Sequence, residues 1–311
     1  MLRPFRFLPF ALSLALSPAP ATAGDARTDY YSALADQETR LATVGYRLTT
    51  ANARWCDVVT PQPGWILGDL RQFEASDRAA ASNIYRSGDG AFVAAVAPGS
   101  PADRAGLTRG TRIAAIEGDA IAPADSGPTI RMDTAIVKLY TIDPTAPWTV
   151  TDDAGRVYRM PPASGCASAF RVELGGAQAA ANGILVRITL KLARSIAADD
   201  ELAAVVAHEL AHNILRHRDR LGADRSAARV RRTEFEADRL AVWLMADAGY
   251  DPAAAIRFWN RHKRPLVRAA SHPPRSERIA AIESEIAAMQ AARAGDAAAR
   301  PPLIDAPPPL E

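Results

Sequence analysis

"DDELAAVVAHELAHNILRH", Asp199 to His217, decides how the second half of the chain folds. Asp199 or Asp200 is a natural helix N-cap. Leu202 to Ala207 are apolar without a break, and Ala and Leu continue on several sides. A helix that is apolar nearly all round has to be buried. Inside it stand His208, Glu209 and His212. Residues four apart lie one turn above each other, about 40° apart around the axis, so both imidazoles can meet one ion. Glu209, one residue on from His208, points to the side where the ion's water would sit. The spacing has a chemical reason. Two neutral nitrogens hold zinc, and a carboxylate that does not bind the metal hydrogen-bonds the water. Without an ion, each of these histidines would need another buried partner.

A zinc centre built this way needs a third ligand, and "RRTEFEADRL", Arg231 to Leu240, offers Glu234, Glu236 and Asp238. The apolar stripe of that helix is Ala237, Leu240, Ala241, Leu244, Met245 and Ala248. At 100° per residue, Glu234 lies within about 40° of the stripe's centre, Asp238 about 80° away and Glu236 about 120° away. Glu234 is therefore expected to face the histidine helix as the ligand. Asp238, one turn along, would accept from a ligating histidine's other nitrogen. Glu236 is expected in solvent.

"HELAH", then "EFEAD", then "GYDP" and "SHPPRSERI" resemble the zinc metallopeptidase family that includes HtpX and the CAAX prenyl endopeptidases. The resemblance spans about residues 182 to 290. It implies that His208, His212 and Glu234 bind one zinc ion (Zn2+), that Glu209 is the catalytic base, and that Asp238 orients the site. The implied fold class is α+β: a mostly helical zincin (gluzincin) catalytic domain with a small sheet, over 166–293. His272 in "SHPP" matches the family's downstream histidine, which would stabilise an oxyanion or gate the metal. His217, five past His212, falls off the ligand face and reads as structural. His262, between Arg261 and Lys263, reads as exposed.

Upstream, residues 24–56 read as one amphipathic helix, with Leu34, Leu41, Val44 and Leu48 at helical spacing. "GAFVAAVAPGSPADRAGLTRGTRIAAIEGDAI", Gly90 to Ile121, alternates strands and tight turns, with Ser100 as an N-cap before Pro101. It resembles protease-associated PDZ domains, which implies a β-rich PDZ domain over 64–160 that takes peptide segments by strand addition. Cys56 and Cys166 flank that module, and a disulfide between them would clamp its base. "GILVRITL", Gly183 to Leu190, is expected as an edge strand beside a cleft. Residues 294–311 form a Pro-rich tail expected to be disordered.

The first 23 residues, with Arg3 and Arg6, an apolar run and Ala21-Thr22-Ala23, read as a signal peptide. No other stretch approaches a transmembrane length, so the mature chain is expected to have no integral membrane segment. Losing Arg3 and Arg6 with the leader brings the 37 basic residues down to the number of acidic ones, 35. A balance near zero speaks against nucleic-acid partners. The expectation is an exported, periplasmic zinc endopeptidase acting on protein or peptide substrates, mostly unfolded, in envelope quality control. The competing reading is a PDZ-centred binding or scaffold protein with a latent or structural metal site.

Overall fold

The first helix, Ala23–Ala51 (α1), runs past both halves of the protein and packs against elements from each. Its stripe Leu34, Leu41, Val44 and Leu48 is wholly buried, as the helical spacing indicates. The computed structural model describes residues 23–121, 127–176, 178–262 and 272–310. Apart from Ala23, the leader lies outside the described residues.

After α1 the chain enters the β-rich half. It comprises β1 (Val59–Pro61), β2 (Trp65–Asp69), α2 (Arg78–Tyr85), β3 (Ala91–Val96), α3 (Pro101–Arg104), β4 (Ile113–Ile116), β5 (Asp119–Ala120), α4 (Pro128–Lys138), β6 (Trp148–Asp152) and β7 (Val157–Met160). β2 and β3 form one antiparallel pair, and β5, β4, β6 and β7 form a four-stranded sheet in that order. Ser100 caps α3 by accepting from the Asp103 N–H at 3.3 Å. Gly110 adopts φ 92° where a Cβ would meet the Tyr85 carbonyl at 2.5 Å, so only glycine fits.

The alternation along β2 and β3 serves two cores. Trp65, Leu67 and Val93 join Ile116, Met132, Trp148 and Val150 in one apolar cluster, while Ile66, Phe92 and Ala94 join α1 in the main core. Among the described residues no distinct β-rich unit stands apart, because its first sheet is shared with the rest of the fold.

β8 (Ser164–Cys166) pairs antiparallel with β1, with Val59 opposite Cys166. The Cys56–Cys166 disulfide sits beside this pairing and closes the base of the intervening segment. The chain then builds a three-stranded sheet from β9 (Ala169–Glu173), β10 (Ala179–Ala181) and β11 (Leu185–Thr189). β11 lies in the middle, parallel to β9 and antiparallel to β10. The edge strand is thus β10, not the "GILVRITL" run. That run is buried at four of the five β11 positions, as a central strand should be.

The helices follow: α5 (Leu190–Ser195), α6 (Asp199–Ile214), α7 (His217–Leu221), α8 (Ala227–Asp247), α9 (Ala254–Arg261) and α10 (Arg275–Gly295). α6 begins at Asp199 with no side-chain cap, and Asp199, Asp200 and Glu201 instead place negative charge in its first turn. The tail is not loose. It carries α11 (Pro302–Asp305), buries Leu303 and Leu310, and gives its Pro308 carbonyl to Arg220 at 2.7 Å. Apolar residues between the prolines anchor it. The architecture is mixed α+β, mostly helical, with several small open sheets around a zincin-like core. Among the described residues no helix is long and apolar enough to cross a membrane.

Candidate metal centre and active site

α6 is the buried helix the sequence indicates, with Leu202 to Ala207 all inside the core. It packs against α8, and that contact brings His208 and His212 to face Glu234. His208 Nε2 and His212 Nε2 are 3.1 Å apart. Glu234 Oε2 lies 3.4 Å from the first and Oε1 3.5 Å from the second. Ligands about 2.0–2.1 Å from a tetrahedral zinc are separated by about 3.3 Å. Two imidazoles and one carboxylate at these separations fit zinc in both donor type and spacing.

Around this triangle the charges are tightly arranged. His208 Nδ1 meets Asp238 Oδ1 at 3.0 Å. Arg278 on α10 donates to both Asp238 oxygens, at 2.6 Å from Nε and 2.5 Å from Nη2, and its Nη1 lies 3.4 Å from Glu234. Its guanidinium stacks 4.2 Å from the Trp259 ring centre, so its flat face is desolvated as well. Burial raises and Arg278 lowers the Asp238 carboxyl, and the lowering wins. Among the protein groups alone, burial and Arg278 oppose charging of His208, but the hydrogen bonds it donates to Asp238 and Glu234 hold it up at about 9. Burial and the neighbouring His208 push His212 well below its ordinary value, which keeps it neutral as a ligand must be. Burial would raise Glu234, yet the hydrogen bond and charge of His208 hold it far below the usual carboxylate range.

Glu209 lines the same cleft, a cavity of about 870 Å³ bordered by β10 on one side and α8, α9 and the start of α10 on others. Burial pushes its carboxyl up to about 7, where it can take and return a proton near neutral pH. His272 enters from the segment before α10, with Nε2 3.7 Å from Glu234 Oε1. The hairpin of β10 and β11 is tied to α6 by Asn213, whose Oδ1 accepts from Gly183 N–H at 2.7 Å and whose Nδ2 donates to Ser168 at 2.7 Å. The edge strand is thereby fixed beside the cluster.

Arg278 escaped the sequence reading, and Glu236, His217 and His262 depart from it. Arg278 sits on the buried stripe of α10 with Ile282, Glu285 and Met289, and a charge on an apolar stripe was the available signal. Glu236 is 4% exposed, not solvated. α7 covers that side of α8, so the helix has no open face there and Glu236 pairs with His217 and Arg220. His217 itself contacts His212, because the expected long helix breaks. Arg216 turns left-handed at φ 53°, which aims His217 back toward the site. His262 is half-buried and stacks on Phe258.

Residues 223–286 match the model of Peptidase family M48. The match holds Glu234, Asp238, His272 and Arg278 and begins just past "HELAH", whose histidines the packing of α6 on α8 brings in. The mitochondrial metalloendopeptidase OMA1 of Schizosaccharomyces pombe is 28% identical over an alignment of 131 residues, covering 30% of this chain and 39% of that protein. The chain therefore spans well under half of that relative's length. No solved structure matches. Residues 223–286 are thus similar to an M48 peptidase domain, and they lie beside a His208–His212–Glu234 cluster whose donors suit a catalytic zinc ion.

Proposed function

We propose that this enzyme cleaves unfolded proteins or peptides within their chains, with His208, His212 and Glu234 holding one zinc ion. The observation that carries this reading is the position of Glu209, beside the ligand cluster in the large cleft under the free edge of β10. Zinc, when bound, supplies a Lewis acid for the scissile carbonyl and lowers the pKa of a water. Glu209 takes the proton from the attacking water and returns it to the leaving amine. Asp238, held by Arg278, keeps the His208 ring oriented. His272 faces the cluster from the opposite wall, where it would steady the oxyanion or close the metal's open side. β10 offers unpaired backbone groups to an extended substrate, with Ala179, Ala180 and Ala181 leaving room for its side chains.

The domain organisation in this reading is the N-terminal helix, the 64–160 segment and the catalytic part 166–293. The first of these would follow an exported leader, and the Cys56–Cys166 disulfide suits the oxidising periplasm. The 64–160 segment would hold clients in the manner of a PDZ domain. β2 is buried at all five residues, and Ile130 and Val137 on α4 are among the exposed apolar side chains of that segment.

Glu209→Gln tests the reading. Cleavage of an unfolded casein should fall by about 10²–10⁴-fold, while zinc stoichiometry by elemental analysis stays at one per chain. A variant that cleaves at the wild-type rate would overturn the assignment.

A further inference from the structure

We propose that His217 is a positioning residue for the metal ligand His212, and that Glu236 and Arg220 anchor it. The inference rests on the reading of His208, His212 and Glu234 as the zinc ligands. His212 Nε2 faces Glu234 and His208, so its lone pair belongs to the metal side. Its proton must then sit on Nδ1, and Nδ1 lies 2.8 Å from His217 Nδ1. Two Nδ1 atoms at that distance need one donor and one acceptor. His217 Nδ1 is therefore the acceptor, and the His217 proton sits on Nε2, which donates to Glu236 Oε2 at 3.0 Å. Arg220 Nη1 donates to the same oxygen at 2.6 Å, and its Nη2 donates to the Pro308 carbonyl at 2.7 Å. Every proton in the series has one direction: from His212 to His217, from His217 to Glu236, and from Arg220 into the carboxylate.

The arrangement extends the familiar bracing of a metal-bound histidine by one more ring. A carboxylate that accepts from His217 raises the basicity of its other nitrogen, which strengthens the bond from His212 and in turn the donor power of His212 Nε2. It also answers what the local backbone is for. His217 is 2% exposed, and it reaches His212 only because Arg216 takes a left-handed conformation that non-glycine residues rarely adopt. The two ligating histidines are thus supported from opposite sides. His208 is braced by Asp238 and Arg278, His212 by His217, Glu236 and Arg220.

The test uses the full chain and reads zinc affinity by chelator competition, together with the visible spectrum of the cobalt(II)-substituted protein. His217→Phe removes the acceptor and should weaken zinc binding by about 10–100-fold, and should shift the cobalt bands. His217→Asn places its Oδ1 where the Nδ1 acceptor stands, and should recover most of that affinity. Glu236→Gln keeps the size of the anchor but not its charge, and should lose affinity toward the lower end of that range, about 10-fold. A purely structural His217 would give another pattern: lower thermal stability of the metal-free protein in all three variants, with zinc affinity within about twofold of wild type and an unchanged cobalt spectrum. That pattern would overturn the proposal. If His217→Phe does not fold, the Asn and Gln variants decide it by the same readouts. Wild-type protein that takes up no zinc would instead sink the underlying metal-site reading, and is told apart by that first measurement.

Discussion

Asp69 in the β-rich half and Asp238 in the metal half are each gripped by one buried arginine. Arg131 of α4 holds Asp69 at 2.6 Å from Nε and 2.5 Å from Nη2, and reaches on to Asp89 at 3.0 Å. Arg278 of α10 holds Asp238 with the same atoms at 2.6 and 2.5 Å, and reaches on to His208 Nδ1 at 3.1 Å. The chemistry is shared, and the destinations differ. Arg131 ends on another carboxylate and ties α4 to β2 and to the turn before β3. Arg278 ends on His208 and Glu234, two of the proposed metal ligands. A buried ion pair is therefore no marker of an active site. What lies one contact beyond the carboxylate decides its role.

Cutting each pair at its arginine is the strongest way to test that difference. Arg278→Met and Arg131→Met each take the buried arginine from a buried carboxylate, leaving Asp69 only the more distant Arg71 at 3.8 Å, and each should lower unfolding free energy by about 3–5 kcal/mol. Only Arg278→Met should also weaken zinc binding and cleavage, because only its carboxylate orients a ligand. Urea unfolding in chelator, followed by zinc titration of the folded fraction, reads the two effects separately. Equal loss of zinc affinity in both variants would erase the distinction. A smaller effect is expected at the junction between the halves. Cys56→Ser, which opens the Cys56–Cys166 bridge, should cost about 2–4 kcal/mol and leave the zinc affinity of the folded protein unchanged. A drop in affinity would mean that the two halves share more than a boundary.

The metal half was the more legible of the two, and the reason is periodicity. His208, His212, Glu234 and Asp238 all project from long helices, where a spacing in sequence is an angle in space. That logic failed where the helix ended. Counting past Ile214 as if α6 continued put His217 off the ligand face, and the left-handed turn at Arg216 reversed the result. It also failed where burial came from elsewhere in the chain. Glu236 reads as exposed from its own helix, but α7 lies over it, and Arg220, held by Pro308, pairs with it. In the β-rich half the strand at 91–96 and the cap at Ser100 were readable from alternation and turn residues. Which sheet β2 and β3 would share with α1 was not, since alternation names two faces and not what covers them. In the same way, an apolar central strand, β11, resembled an edge strand until its partners on both sides were known.

Glu38 completes the comparison, as a buried carboxylate with no arginine fork. It is 3% exposed on α1, and its Oε2 accepts from the Tyr85 hydroxyl at 2.7 Å. Arg109 is near, but its Nη2 donates to the Ala35 carbonyl and the Thr39 hydroxyl. Burial pushes the Glu38 carboxyl up to about 8, against the opposing pull of Tyr85 and Arg109. A raised acid favours the folded state most when both states are protonated, below about pH 4.5. As pH climbs, the unfolded chain ionises first, and stability should fall by about 1.4 kcal/mol per pH unit until the folded group ionises near pH 8. Glu38→Gln is neutral in both states, so it should remove that slope, gaining on the wild type steadily between pH 5 and pH 8 and converging with it at acid pH. Urea midpoints measured across this range are the readout. Parallel curves would show that Glu38 is already charged in the folded protein, and that a buried carboxylate here does not need an arginine fork to stay so.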